Sequence, residues 1–151
     1  MAAPTSPVQR LLRLSRSNKR VLSEALLTLM AASLTIRLLP FRKTAALMRG
    51  KRGVADEAET PDRAIAQCRW AIGKWATRVP WRVVCFQRGL TLHLMLRRRG
   101  IPSVLHYGVA QDAEKGLRAH VWVSVDGRDV LGGEEAAEFT CVASFPELTE
   151  R

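Results

Sequence analysis

"WRVVCFQRGLTLHLMLRRRG" (residues 81–100) places a cysteine at the start of an amphipathic helical pattern. Its apolar residues recur at three- and four-residue steps, which predicts a helix from about Val84 to Arg99. The helix is expected to end in its basic run, because basic last turns followed by a glycine such as Gly100 are typical of helix C-termini. Cys85 is therefore expected in the first turn of this helix.

The residues after this helix change to strand character. "SVLHYGVA" (103–110) and "AHVWVSV" (119–125) alternate and are rich in β-branched residues. Asp126-Gly127 is a strong hairpin turn, so "RDVLGG" (128–133) is expected to return as the partner strand. Upstream, Thr60-Pro61 is typical of a helix start. Helices followed by a small antiparallel sheet give an α+β fold.

The charge divides the chain into two parts. Residues 1–53 contain 11 Lys or Arg and one acid, whereas residues 54–151 contain 13 basic and 13 acidic residues. The division predicts a basic amphipathic helical segment over 1–53, a linker over 54–60 and a globular domain over 61–151.

The basic segment contains an apolar helical pattern with several possible partners. Its longest uncharged run, residues 25–36, has only 12 residues, whereas about 20 are needed to cross a bilayer. We expect the helix to pack on its own domain or on a partner protein; contact of residues 21–43 with an anionic membrane surface is the alternative. Nucleic acid is disfavoured because few aromatic residues lie among the charges. The apolar positions at helical spacing are Leu22, Leu26, Leu29, Met30, Leu34 and Leu38.

Cys85 is a candidate nucleophile and His120 its candidate base. The first turn of a helix favours negative charge and offers free N–H groups to an oxyanion. A neighbouring histidine can take the thiol proton. Gln87 is expected on an exposed helix surface, and His106 as a hydrogen-bonded histidine of the sheet. No close-spaced Cys or His pair points to a metal, and no cofactor is expected.

Several motifs together resemble a known family. The cysteine that opens a helix, "RRRGIPSVLHYGV" and "AHVWVSVDGR" are similar to transglutaminase-like, papain-like cysteine proteases. In particular they resemble the protease half of the B proteins of lasso peptide biosynthesis, over roughly residues 60–146. The resemblance implies a cysteine endopeptidase that removes the leader from a ribosomally made precursor peptide. It also implies Cys85 as nucleophile, His120 as general base and acid, and Trp122 as a shielding aromatic.

The third catalytic residue is less clear from the sequence. The family usually places a carboxylate about a dozen residues after the histidine, and here that position is Gly132. A two-residue turn at 126–127 would place His120 opposite Gly133, next to Glu134. Glu134 is therefore the preferred third residue, with Asp129 as the alternative; a bulge would change the choice.

The resemblance further implies partners. These are the leader region of the precursor, a small separate leader-recognition protein and an ATP-dependent, asparagine-synthetase-like cyclase. Independently of the resemblance, three cysteines, which cannot all pair, and no visible secretory signal predict a cytoplasmic setting, with the membrane periphery as the alternative because of the basic segment. The alternative function is a catalytically inactive scaffold of the same fold that binds a peptide or a partner protein. Acyl transfer to an amine would use the same Cys–His pair.

Overall fold

The described residues fold into four α-helices followed by a four-stranded sheet. The computed structural model describes residues 14–49, 53–54 and 59–146. The α+β order expected from the sequence is confirmed. The helices are α1 (Arg16–Leu38), α2 (Phe41–Met48), α3 (Pro61–Ala76) and α4 (Cys85–Arg98); the strands are β1 (Val104–Asp112), β2 (Gly116–Val125), β3 (Arg128–Leu131) and β4 (Thr140–Phe145), with a 3₁₀ helix at Gly133–Glu138.

The sheet is antiparallel, in the order β3-β2-β1-β4, and α4 packs on one of its faces. That face carries the buried side chains of Leu105, Val121 and Val123. Gly89 of α4 lies directly over them: a Cβ at this position would come within 2.7 Å of the Val121 side chain. The absence of a side chain at residue 89 therefore lets α4 approach β2 closely.

Helix α1 packs against α3 and α4 through a face of mostly small residues. Met30, Leu34 and Leu38, expected on the apolar stripe, are exposed instead, so that part of the expectation is wrong. Small side chains allow two neighbouring helices to approach α1 closely. The buried face of α1 is therefore determined by this close packing and not by hydrophobicity alone. The buried residues of α1 are Val21, Leu22, Ala25, Thr28, Leu29, Ala32 and Ser33.

An ion pair fixes α1 to the C-terminal end of α4. Glu24 Oε2 accepts a hydrogen bond of 2.6 Å from Arg99, and Glu24 Oε1 lies 3.2 Å from an Arg98 nitrogen. Burial acts to raise the pKa of Glu24, but the hydrogen bonds and charges of Arg99 and Arg98 outweigh it and hold this pKa below its ordinary value. The basic end of α4 thus contributes to tertiary structure.

The N-terminal helices share one hydrophobic core with the rest of the chain. Val21 and Met48 belong to the same buried cluster as Ile72, Leu96 and Phe145. Residues before and after position 53 pack in the same core. The predicted division of the chain at residue 53 therefore stays a prediction about function. Most of the expected linker, residues 55–58, and the terminal residues 1–13 and 147–151 lie outside the described residues.

By length and composition α1 is one helix of the described chain that satisfies the criteria for a membrane span. The longest uncharged run of α1 is shorter than a membrane span, but a span tolerates a few charged residues. The core helix of a globular protein satisfies the same criteria, and 39% of the most apolar window of α1 is buried inside the fold. Membrane contact of residues 21–43 stays a prediction.

Candidate active site

Cys85 is the first residue of α4, as the sequence predicts, and is partly exposed. The preceding residue, Val84, has extended backbone and donates its N–H to Gln87 Oε1 at 2.8 Å. Gln87 Nε2 in turn donates to Ser33 Oγ of α1 at 3.1 Å. Gln87 is buried, so its expected exposure was wrong: its amide stabilises the turn that presents Cys85 and joins it to α1.

Cys85 and His120 line the same cavity, of about 690 Å³. Cys85 lies one helical turn before Gly89, and Gly89 approaches Val121, the residue next to His120. The close packing of α4 on β2 thus brings the thiol to the edge of β2 where the histidine lies. Cys85 Sγ makes no hydrogen bond within the described part of the chain. Side chains alternate along a strand, so His120 projects from the face of β2 opposite to Val121 and α4, and the two residues border the cavity from different sides of that strand.

The His120 ring contacts two aromatic rings and forms one hydrogen bond. It stacks on Trp122, with ring centroids 6.2 Å apart, and lies 5.1 Å from the Phe139 ring. Nε2 is 2.7 Å from the carbonyl oxygen of Gly132. Because a carbonyl oxygen only accepts hydrogen bonds, Nε2 carries the proton and Nδ1 keeps its lone pair. In this tautomer Nδ1 is the nitrogen with hydrogen-bond acceptor capacity.

A backbone carbonyl therefore occupies the place where a carboxylate was expected. β3 pairs with β2 at Val125–Arg128 and Ser124–Asp129, as the two-residue turn predicts, but the register then shifts, so that Val123 pairs with Leu131. The expected pairing of His120 with Gly133 is wrong because of this irregularity. The chain next passes through Gly132 in the left-handed region, φ +73°, which directs its carbonyl to the histidine.

The two candidate carboxylates lie apart from the His120 hydrogen bond. Glu134 lines the cavity but is exposed, and no hydrogen bond joins it to His120 among the described residues. Asp129 pairs with Ser124, four residues along β2 from His120, and its charge acts on His106. The catalytic role assigned to Glu134 stays a prediction, and the Gly132 carbonyl is the group that sequence reasoning missed. The glycine pair that ends "RDVLGG" was the available signal, since a left-handed residue there can turn a carbonyl inward.

His106 is a hydrogen-bonded histidine of the sheet, as expected. Its Nε2 and Nδ1 lie 2.8 Å from Ser124 Oγ and 3.1 Å from Ser144 Oγ. Its ring also stacks with the Trp122 indole, with centroids 5.2 Å apart. Burial lowers the pKa of His106, against the opposing charge of Asp129. Trp122 therefore packs with two imidazoles, those of His106 and His120.

The other two cysteines differ from Cys85 in their surroundings. Cys68 is completely buried in α3, and this burial raises the pKa of its thiol to about 11. Cys141 is exposed on β4. Of the three thiols, Cys85 is the one that lies at a helix start and lines the cavity with His120.

A family model, "Transglutaminase-like superfamily", matches residues 26–144. The chain belongs to the transglutaminase-like superfamily. This superfamily includes cysteine peptidases. The match begins within α1, which agrees with the common core of the N-terminal helices and the sheet. Comparison with curated proteins and with solved structures gave no match.

This transglutaminase-like protein presents groups suited to acyl transfer. Cys85, His120 and the first turn of α4, with its unpaired N–H groups, border one open cavity. The residues that the structure describes contain no cluster of three His, Cys, Asp or Glu side chains placed to hold a metal ion.

Proposed function

We propose that the protein is a cysteine endopeptidase that removes the leader from a ribosomally made lasso-peptide precursor. The observation that carries the proposal is the placement of Cys85 and His120 on one cavity, with His120 Nε2 bound to a carbonyl. Membership of a superfamily that includes cysteine peptidases supports the reaction class. The motifs around Cys85 and His120 support the choice of substrate.

The proposed reaction proceeds through a thioester. Cys85 Sγ–H transfers its proton to His120 Nδ1, and the thiolate attacks the carbonyl carbon of the scissile peptide bond. First-turn N–H groups of α4 stabilise the oxyanion. The imidazolium returns its proton to the departing amine, which leaves an acyl-cysteine. His120 then takes a proton from water, the hydroxide attacks the thioester, and Cys85 leaves as a thiol with the proton held by His120.

The gap between Cys85 and His120 bears on the proposed partners. In a free enzyme the catalytic hydrogen bond is often long and shortens only when substrate binds. A separate leader-recognition protein would deliver the precursor to the cavity, and an ATP-dependent cyclase would consume the freed N-terminus. Both partners are part of the proposal.

The thiol chemistry is tested by intact-protein mass spectrometry with limiting iodoacetamide over a range of pH. Labelling of Cys85 should exceed that of exposed Cys141, and His120→Ala should abolish the excess. Cys141→Ala is the matched control, because it removes a thiol outside the cavity. Equal labelling of both thiols, unaffected by His120→Ala, would contradict the activation of Cys85.

The peptidase reaction is tested with a lasso precursor peptide, in the presence of its leader-recognition protein. Cleavage should yield a free leader and a core with a new N-terminus. Cys85→Ala and His120→Ala should stop the reaction, whereas Cys141→Ala should leave it unchanged. Reaction in H₂¹⁸O should place one heavy oxygen in the released leader carboxylate; its replacement by an added amine would indicate acyl transfer instead.

The inactive scaffold of the same fold is the second candidate. It is favoured by the neutral Gly132 carbonyl, which binds the His120 N–H but cannot stabilise an imidazolium as strongly as a carboxylate does. A scaffold would bind the precursor with the same affinity whether residue 85 is Cys or Ala, and no acyl-enzyme would be trapped in either case.

A further inference from the structure

Three arginines surround the Cys85 side of the cavity. Arg69 comes from α3, Arg82 from the segment before α4, and Arg88 from the first turns of α4. All three side chains are exposed, and none forms an ion pair within the described residues. We refer to Arg69, Arg82 and Arg88 as the arginine rim.

The arginine rim is not a consequence of a generally basic domain. Residues 54–151 carry equal numbers of basic and acidic residues. Elsewhere on the same cavity, Arg118 has acidic neighbours, with a nitrogen 3.4 Å from Glu138 and 3.8 Å from Asp112. The acids of the cavity, Glu134 and Glu135, lie on the 3₁₀ helix beyond Gly132 and leave the rim unpaired.

We propose that the arginine rim binds carboxylates of an acidic peptide segment and thereby selects the substrate of the Cys85 site. This inference rests on the proposed function, because it takes the bound segment to be part of the substrate of the Cys85 site. Guanidinium groups bind carboxylates through two parallel hydrogen bonds, which gives both affinity and orientation. Three rim residues from three parts of the chain converge on one cavity, which fits an extended segment with more than one acid. The segment lies on the Cys85 side, because Glu134 and Glu135 repel acids on the other side.

The local field is measured with two alkylating reagents of nearly equal shape. Iodoacetate is an anion and iodoacetamide is neutral, so the ratio of their rates at one thiol reports the potential there. The fraction of thiolate cancels in this ratio. A cavity of 690 Å³ is about 9 Å across, and three charges at that distance in water change the ratio roughly tenfold at low ionic strength. At 0.1 M salt, screening reduces the effect to about threefold.

The test variant is Arg69→Gln/Arg82→Gln/Arg88→Gln. It should lower the iodoacetate-to-iodoacetamide ratio at Cys85 roughly tenfold and leave the ratio at Cys141 unchanged. The matched control removes the same three charges from exposed positions outside the cavity lining: Arg63→Gln/Lys74→Gln/Lys115→Gln. An equal ratio at Cys85 in the test variant, the control and the unmodified protein would overturn the proposal.

Peptide binding is measured by protection of Cys85 from iodoacetamide. Hexaglutamate should slow labelling of Cys85, hexaglutamine should not, and the test variant should lose the protection. Protection by oligouridylate without protection by hexaglutamate would overturn the proposal in favour of a nucleic-acid phosphate. Circular dichroism of the test variant shows that it is folded, and the ratio at Cys141 supplies an internal reference.

The two proposals fail separately. If precursor cleavage is absent but hexaglutamate protects Cys85 through the arginine rim, the peptidase proposal fails and acidic-peptide binding stands. If the precursor is cleaved but the rim substitutions change neither the reagent ratio nor the protection, the peptidase proposal stands and the selection by acids fails.

Discussion

Substitution of Gly132 by alanine tests whether the backbone carbonyl orients His120. Gly132 has φ +73°, and a Cβ there would lie 2.8 Å from the Val121 carbonyl oxygen and 3.3 Å from His120 Nε2. Gly116 provides the matched control: its φ is also +73°, but a Cβ would meet nothing within 4 Å. Comparison of the two alanine variants separates the backbone strain, which both positions share, from the steric contact, which only residue 132 makes.

The expected losses of stability differ for the two glycines. A residue with a Cβ in the left-handed region costs about 1–2 kcal/mol, so Gly116→Ala should lose about that much. The contact at residue 132 adds roughly 1–3 kcal/mol, as overpacking does, because the Val121 carbonyl belongs to a strand and cannot move freely. One kcal/mol corresponds to about 2–4 °C in Tm for a domain of this size. Gly132→Ala should therefore melt several degrees below Gly116→Ala.

The same substitution should affect the thiol. A displaced Gly132 carbonyl weakens one hydrogen bond to the imidazole, worth about 1 kcal/mol, so Cys85 labelling should fall about fivefold to tenfold. Calorimetry gives the Tm values, and limiting iodoacetamide with mass spectrometry gives the labelling rates. If both alanine variants melt together and label at the unmodified rate, the Gly132 carbonyl does not orient His120, and the argument from its hydrogen bond is wrong.

Three further predictions follow from packing and charge. Gly89→Ala should lose about 1–3 kcal/mol by pushing α4 away from β2, and it should slow the labelling of Cys85; Gly73→Ala, in an open position of α3, should gain up to about 1 kcal/mol. Glu24→Gln should lose about 1–3 kcal/mol at pH 7, measured by urea unfolding. The folded-state pKa of Glu24 is lowered, so this stability is present above its ordinary pKa of 4.5 and is lost as the pH falls through the folded value. Cys68 should resist Ellman's reagent at pH 8 until urea unfolds the chain, because burial raises its pKa to about 11.

Each of these predictions has an outcome that would contradict it. Equal stabilities of Gly89→Ala and Gly73→Ala would show that α4 does not need close contact with β2. A stability difference between Glu24→Gln and the unmodified protein that persists unchanged at pH 3 would exclude the ion pair as its source. Labelling of Cys68 in the folded protein at the rate of Cys141 would show that α3 exposes its thiol.

Local patterns predicted much of the fold and two members of the candidate site. Periodicity and stop residues gave α4 to within one residue at each end, and Asp126-Gly127 gave the β2–β3 hairpin. Both features depend on residues close in sequence. Cys85 and His120 were recognisable for the same reason, since a helix start and a strand pattern determine their places, although β2 begins at Gly116, four residues before His120.

Long-range packing decided the features that the sequence did not predict. The buried face of α1 depends on α3 and α4 together, so Leu34 and Leu38 are exposed although their spacing is helical. Gln87 is buried because Ser33, 54 residues away, accepts its hydrogen bond. The register shift after Ser124 could not be counted from the turn, and a backbone carbonyl at Gly132 leaves no side-chain pattern to read.

The bond between Gln87 and Ser33 has a mechanical consequence. Ser33 Oγ donates to the Leu29 carbonyl at 2.7 Å, accepts from Gln87 Nε2, and Gln87 Oε1 accepts from the Val84 N–H. Three hydrogen bonds thus connect the backbone of α1 to the Val84 N–H, one residue before Cys85. A displacement of α1 is therefore expected to move the start of α4, because these hydrogen bonds are shared by both helices. The exposed leucines on the outer surface of α1 lie on the same helix as Ser33, so a protein bound to them would act on a segment joined to Cys85.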